Sequence, residues 1–194
     1  MREAERWRPK VYEDEAIVLG INQSRRGGRF GHSNVAYLMG TEHFTLLEAA
    51  VSPDLKLAAG NLLYIGRDAP RELVRIIRRV GYQELPETSR LELERAVERV
   101  VNEKEAKFVK FFNSCGSLTP RLHALEVIPG IGKKTMLKLL EEREKKPFES
   151  LEEVEKRTGL QDVRASVVKR IVQELSDPTN RYWLFVRPPH AEGL

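Results

Sequence analysis

One cysteine, Cys115, stands in 194 residues. A lone thiol cannot close a disulfide within the chain, build a Cys-rich zinc site or hold a four-cysteine iron–sulfur cluster; it fits a reducing, cytoplasmic setting. No stretch approaches the roughly 20 apolar residues of a membrane helix, and the N-terminal MREAERWRPK lacks the apolar centre of a leader, so a soluble, non-secreted protein is expected. His32, His43, His123 and His190 show no ligand spacing to one another, and no nucleophile–base pair stands out. No metal, cofactor or catalytic residue is therefore expected. An excess of one charge is missing too. The 33 basic and 29 acidic residues leave +4, which favours an anionic partner only weakly, so the distribution of charge matters more than its sum. The 32% charged content suits a soluble surface, even a heat-adapted one, and 41% hydrophobic residues suffice for a core.

What is present divides by periodicity. Residues 1–14 are polar and mixed in charge and read as an N-terminal arm. From residue 15, AIVLGI, NVAYLMG, HFTLLEAAV and NLLYIG are short β-rich runs separated by Gly, Ser, Asn, Pro and Asp. Ile17, Leu19 and Ile21 alternate onto one face, as do Val35, Tyr37 and Met39. Such short strands would leave exposed edges unless the sheet curls, so 15–87 is expected to be a small β-barrel with a basic helix. That helix is APRELVRIIRRVGY, with Leu73, Val74, Ile76, Ile77 and Val80 on one stripe; over 67–80 five arginines stand against Asp68 and Glu72. Residues 88–116 read as one connecting amphipathic helix.

Capping signals crowd 117–176. Thr119, with Pro120 at the first helical position, opens a short helix through Leu122, Leu125 and Val127. A tight turn follows, then a helix from 133 to about 145 that buries Met136, Leu137, Leu139 and Leu140. Ser150 and Glu153 form a capping box for a third helix, which Gly159 ends; Asp162 opens a fourth, with Val163, Val167, Ile171 and Leu175 on one face. Helix, turn, helix thus occurs twice. In the final 177–194, RYWLFVRPPH alternates Tyr182, Leu184 and Val186 against Arg181, Trp183, Phe185 and Arg187, and reads as a strand returning to the β part. Trp183 is either a core ring or a stacking plane for a base.

The turn carries the sharpest chemistry. In IPGIGKKT, Pro129, Gly130, Ile131 and Gly132 precede Lys133, Lys134 and Thr135. Two glycines let the backbone approach a phosphate, and a helix start presents unpaired N–H groups with partial positive charge. Lys133 and Lys134 add charge, Thr135 a hydroxyl, and Lys138 lies one turn beyond Lys134 on the same face. Such a site holds phosphates rather than base edges, which implies little sequence preference and steep salt dependence. The plainer alternative is a structural turn with solvated lysines. A nucleotide P-loop is excluded, because Val127 stands where its first glycine belongs and Lys134 where it needs Ser or Thr.

LEVIPGIGKKTMLKLLEER resembles the helix-hairpin-helix motif of non-sequence-specific nucleic-acid-binding proteins, and FESLEEVEKRTGLQDVRASVVKRIVQEL resembles a degenerate second copy. The β-rich runs resemble an OB-fold barrel. Over nearly the whole chain the two parts resemble an archaeal family, domain of unknown function 655, described as predicted nucleic-acid-binding OB-fold proteins. The resemblance implies an α+β protein: an OB-like β-barrel followed by an all-α, paired helix-hairpin-helix domain.

Between the first two strands, SRRGGRFGHSN places Arg25, Arg26 and Arg29 around a diglycine, followed by Phe30 and His32. Arginine forks suit phosphates and the ring suits an unpaired base, so RNA is slightly preferred over DNA as partner; a solvated loop is the competing reading. Two other functions stay open. One is a protein-interaction scaffold docking on a ribosomal or replication partner. The other is a DNA-repair nuclease or glycosylase, since related enzymes carry a similar PGIGKKT, although the downstream EEREKKPFESLEEVEK lacks their Gly/Pro-rich stretch and catalytic Asp.

Overall fold

The computed structural model describes residues 13–22 and 34–188. Strands β1 (Glu15–Asn22), β2 (Asn34–Gly40), β3 (Leu46–Val51), β4 (Leu62–Tyr64) and β5 (Val74–Arg79) form one antiparallel sheet in the order β4-β1-β2-β3-β5. Alternation along β1 sends Ile17 and Leu19 toward the helices and Ala16 and Val18 into a second buried cluster on the other face. That second cluster also takes Leu63 and Ile65 at one edge, Val74 at the other, and Leu55 and Leu57 from the connection between β3 and β4. The sheet therefore curls around a small core of its own. It does not close into the expected barrel, because β4 has only three residues, all spent on β1, while β5 pairs with β3.

β5 corrects a second expectation. VRIIRR is a strand and not a helix, with Val51 opposite Val74 and Ala49 opposite Ile76. Two adjacent apolar pairs fit a helical stripe equally well, but β-branched Val74, Ile76 and Ile77 suit a pleated ladder, and β3 offers the backbone partners.

The expected connecting helix is two helices, α1 (Glu87–Glu103) and α2 (Glu105–Ser114), which part at Lys104. There the backbone leaves helical geometry (φ −111°, ψ 35°), and the Lys104 amine donates to the Thr41 hydroxyl and to Glu42. Lys107 joins the same carboxylate at 3.1 Å. Next, the helix expected to start at Thr119 is replaced by a small hairpin, β6 (Ser117–Thr119) with β7 (Leu122–His123), and a 3₁₀ turn at Ala124–Val127. The cap has moved to His123, whose Nδ1 accepts from the Leu125 N–H while Glu126 accepts from the His123 N–H.

α3 (Lys133–Lys145), α4 (Leu151–Thr158) and α5 (Val163–Ser176) start and stop where their caps lie. The Ser150 hydroxyl accepts from the Glu153 N–H at 3.0 Å, and Gly159 takes the left-handed conformation (φ 78°) that ends α4. One buried cluster runs from Ile17 of β1 through Val97 of α1 and Phe108 of α2 to Leu139, Val154 and Ile171 of the last three helices. Each such side chain contributes about 1.5–3 kcal/mol by leaving water. No helix among the described residues is long and apolar enough to cross a membrane.

Two buried carboxylates organise the chain ends. Glu13, placed with the polar arm by its sequence, is 8% exposed and accepts from the N–H groups of Glu42, His43 and Thr45. It holds the β2–β3 turn, in which Phe44 sits at φ 55°, a conformation that costs a non-glycine residue about 1–3 kcal/mol. Glu174, fully buried, pairs with Arg170 and accepts from three consecutive N–H groups, those of Leu184, Phe185 and Val186. Successive N–H groups of a strand point to opposite sides, so this contact excludes the expected C-terminal strand. Residues 181–188 instead lie on the helices, with the Phe185 ring 5.5 Å from Phe108 and 4.8 Å from Phe111, and touch the β part through the Arg187 N–H and the His43 carbonyl.

Candidate nucleic-acid interface

The turn between the 3₁₀ segment and α3 is closed by the Ile131 N–H, which donates to the Ile128 carbonyl at 3.1 Å. Ile128 and Ile131 are buried and anchor it, so Ile131 serves the core and offers no surface. Gly130 turns left-handed at φ 86°, where a side chain would strain the backbone. Gly132 takes the capping position of α3 in extended geometry, with no side-chain cap and nothing within 4 Å of where a Cβ would stand. The first helical bond runs from the Met136 N–H to the Gly132 carbonyl, so the N–H groups of Lys133, Lys134 and Thr135 have no acceptor within the helix.

Charge at this end runs against the helix. Lys133 and Lys134 are exposed in the first turn of α3, and no acidic residue accompanies them. Cations at the positive end of a helix cost about 0.3–1 kcal/mol each when nothing neutralises them. An anion placed before Gly132 would reverse that cost. Thr135 and Pro129 are half-buried beside the lysines, and Lys138 is exposed. Its amine lies near the second turn, 3.9 Å from where a Cβ on Gly159 would stand.

The second turn differs in its donors. The Asp162 carboxylate accepts from the Ala165 N–H at 3.0 Å, and Glu155 accepts from the Val163 N–H at 2.8 Å. The start of α5 is thus neutralised from within. α5 itself lies beside the first turn: a methyl on Gly130 would stand 3.7 Å from the Ser166 hydroxyl, and Arg170 reaches the Val127 carbonyl at 3.5 Å.

Elsewhere, polar groups serve structure. Burial pushes the Cys115 thiol up, against Arg143, which also donates to the Cys115 carbonyl at 2.9 Å and caps the end of α2. Burial likewise holds His123 below its ordinary value, where its neutral ring can accept the capping bond. Trp183 stands apart from the lysine turn, half-buried in a cleft between the end of β5, the end of α5 and the C-terminal segment. Arg25, Arg26, Arg29, Phe30 and His32 lie outside the described residues.

A family model described as a protein of unknown function, DUF655, matches residues 12–187. The chain belongs to that family. An uncharacterised protein of Methanocaldococcus jannaschii is 40% identical over 150 residues, which make up 77% of this chain and 69% of that one. A crystal structure from Archaeoglobus fulgidus, titled as a DUF655 protein, shares the fold with a TM-score of 0.78 at 35% identity, covering 90% of this chain and 100% of its own. In this DUF655 chain, Ser166 is the neighbour of the lysine turn that sequence reasoning missed. No local pattern marks it, because α5 meets the turn only through the tertiary fold.

Proposed function

We propose that this DUF655 protein binds nucleic acid without catalysis and largely without sequence preference. The turn 128–132 with the start of α3 acts as a phosphate clamp of the helix-hairpin-helix kind, paired with a second, closed copy at 159–162. The curled sheet supplies an OB-like second surface. The observation that carries this reading is the α3 terminus: two glycines, unpaired N–H groups and two exposed lysines with no carboxylate among them. RNA stands slightly ahead of DNA because the sequence between β1 and β2 offers arginines and an aromatic ring, which suit unpaired bases.

The test is fluorescence anisotropy with single-stranded RNA, single-stranded DNA and duplex DNA at several salt concentrations. Wild-type affinity should fall steeply with salt. Lys133→Glu/Lys134→Glu should lose about tenfold at low salt, with a log–log salt slope shallower by about 1–2. Equal binding by a folded double variant would reduce the turn to architecture. A protein partner is the second reading, favoured by the exposed Leu73, Ile76 and Ile77 at edge strand β5. Binding to a partner through that edge would persist at high salt.

A further inference from the structure

The cleft that holds Trp183 encloses about 260 Å³. Buried Phe44, Val80 and Val186 line it together with two half-buried rings, Tyr82 and Trp183. Both rings stand on anchored stretches of chain. The Arg90 guanidinium lies 5.6 Å from the centre of the Tyr82 ring and donates to the Leu85 and Gln83 carbonyls. Trp183 sits between two anchored neighbours, since Arg170 holds the Tyr182 carbonyl and Glu174 the Leu184 N–H. A stacking plane set by a buried ion pair loses little freedom when a ligand arrives.

The lining suits a flat ring more than a charge. Arg79 and Arg187 border the cleft, each already engaged within the chain, as do Glu84, paired with Arg78, and Glu174, spent on Arg170 and three N–H groups. What the cleft offers a ligand is its apolar and aromatic surface, and aromatic rings stack on a nucleobase of any kind. The volume lies below the ~300 Å³ at which drug-sized pockets begin, which suits one base with its sugar.

We infer that this cleft receives a single unpaired nucleobase, stacked against Trp183 and Tyr82. This rests on the nucleic-acid reading above and adds a preference for single strands to it. α5 joins the two sites, with Ser166 beside Gly130 and Leu175 at the cleft, nine residues or roughly 14 Å of helix apart. That is about four stacked nucleotide steps, so an octamer can reach both.

The chain has two tryptophans, Trp7 and Trp183, so Trp7→Phe leaves Trp183 as the sole reporter. In that background a single-stranded RNA octamer should quench emission saturably, blunt duplex should quench several-fold less, and millimolar AMP should quench as well. Tyr82→Leu, and Trp183→Leu if circular dichroism shows it folded, should lower octamer affinity about tenfold while changing duplex affinity less than twofold. Lys133→Glu/Lys134→Glu should weaken every oligonucleotide yet keep the full quench at saturation. An octamer that binds by anisotropy without quenching would overturn the proposal, as would equal quenching by duplex. Quenching by AMP with no oligonucleotide binding would keep the cleft and discard the clamp.

Discussion

The starts of α3 and α5 are two copies of one local design with opposite electrostatics. At α3 the capping residue is glycine and the next two are lysines; at α5 the capping residue is aspartate and a second carboxylate, Glu155, takes a further N–H group. One terminus has two of its first three N–H groups taken by its own carboxylates. The other carries an unneutralised positive end, which the proposed clamp gives to an external anion. Chain direction and helix geometry are the same at both starts; the capping residues alone make the electrostatic difference.

The comparison presumes that α5 holds both turns in register, and the largest expected effect comes from removing that support. Glu174→Gln leaves Arg170 buried without its counter-charge and turns an amide toward backbone donors, so it should cost about 3–5 kcal/mol in urea unfolding. A loss under about 1 kcal/mol would show that the segment 182–186 is held by its rings alone.

Exchanging the two termini comes next. Gly132→Asp meets open space and supplies the missing cap, so stability should rise by about 0.5–1 kcal/mol while affinity for oligonucleotides falls about tenfold. Opposite movement of the two readouts is the signature of a site kept open for a ligand. Asp162→Gly with Glu155→Gln should do the reverse at α5, gaining affinity with a stability change under about 0.5 kcal/mol, because the lost cap is offset by relief of Asp162 at φ 50°.

The smallest effect concerns the sheet side. Hydrogen bonding from Lys104, with Lys107 adding to it, draws the Glu42 carboxyl from 4.5 down to about 2. A carboxylate depressed in this way adds stability that is present above pH 4.5 and is lost as pH falls toward 2. Glu42→Gln should therefore be less stable than wild type at pH 7 and lose less of its stability between pH 5 and 2, with the two curves converging below pH 2. Parallel curves would show that the contact is screened out in solution.

The exchanged termini were legible because capping is written within four residues: Ser150, Gly159 and Asp162 each mark an end that the structure keeps. The lysine turn was legible for the same reason. What the sequence concealed depended on distant partners. Val74 to Val80 satisfied a helical stripe until β3 claimed its backbone, and RYWLFV alternated like a strand until Glu174, carried by another element, took three of its N–H groups. Thr119 and Pro120 looked like a helix start, yet the cap came at His123, where a ring nitrogen can accept in the way a hydroxyl does. The cleft escaped altogether, since Phe44, Tyr82, Leu175 and Trp183 come together only in three dimensions.

Glu13 gives the chain's beginning a reach that its polar surroundings hide. Its carboxylate gathers the N–H groups of Glu42, His43 and Thr45, the bonds that surround the left-handed Phe44 at the border of the cleft. Proteolytic trimming that removes Glu13 would leave every strand and helix of the described residues intact and still let Phe44 relax, so a cut near the N-terminus would reshape a cavity built from β5, α5 and residues 183–187.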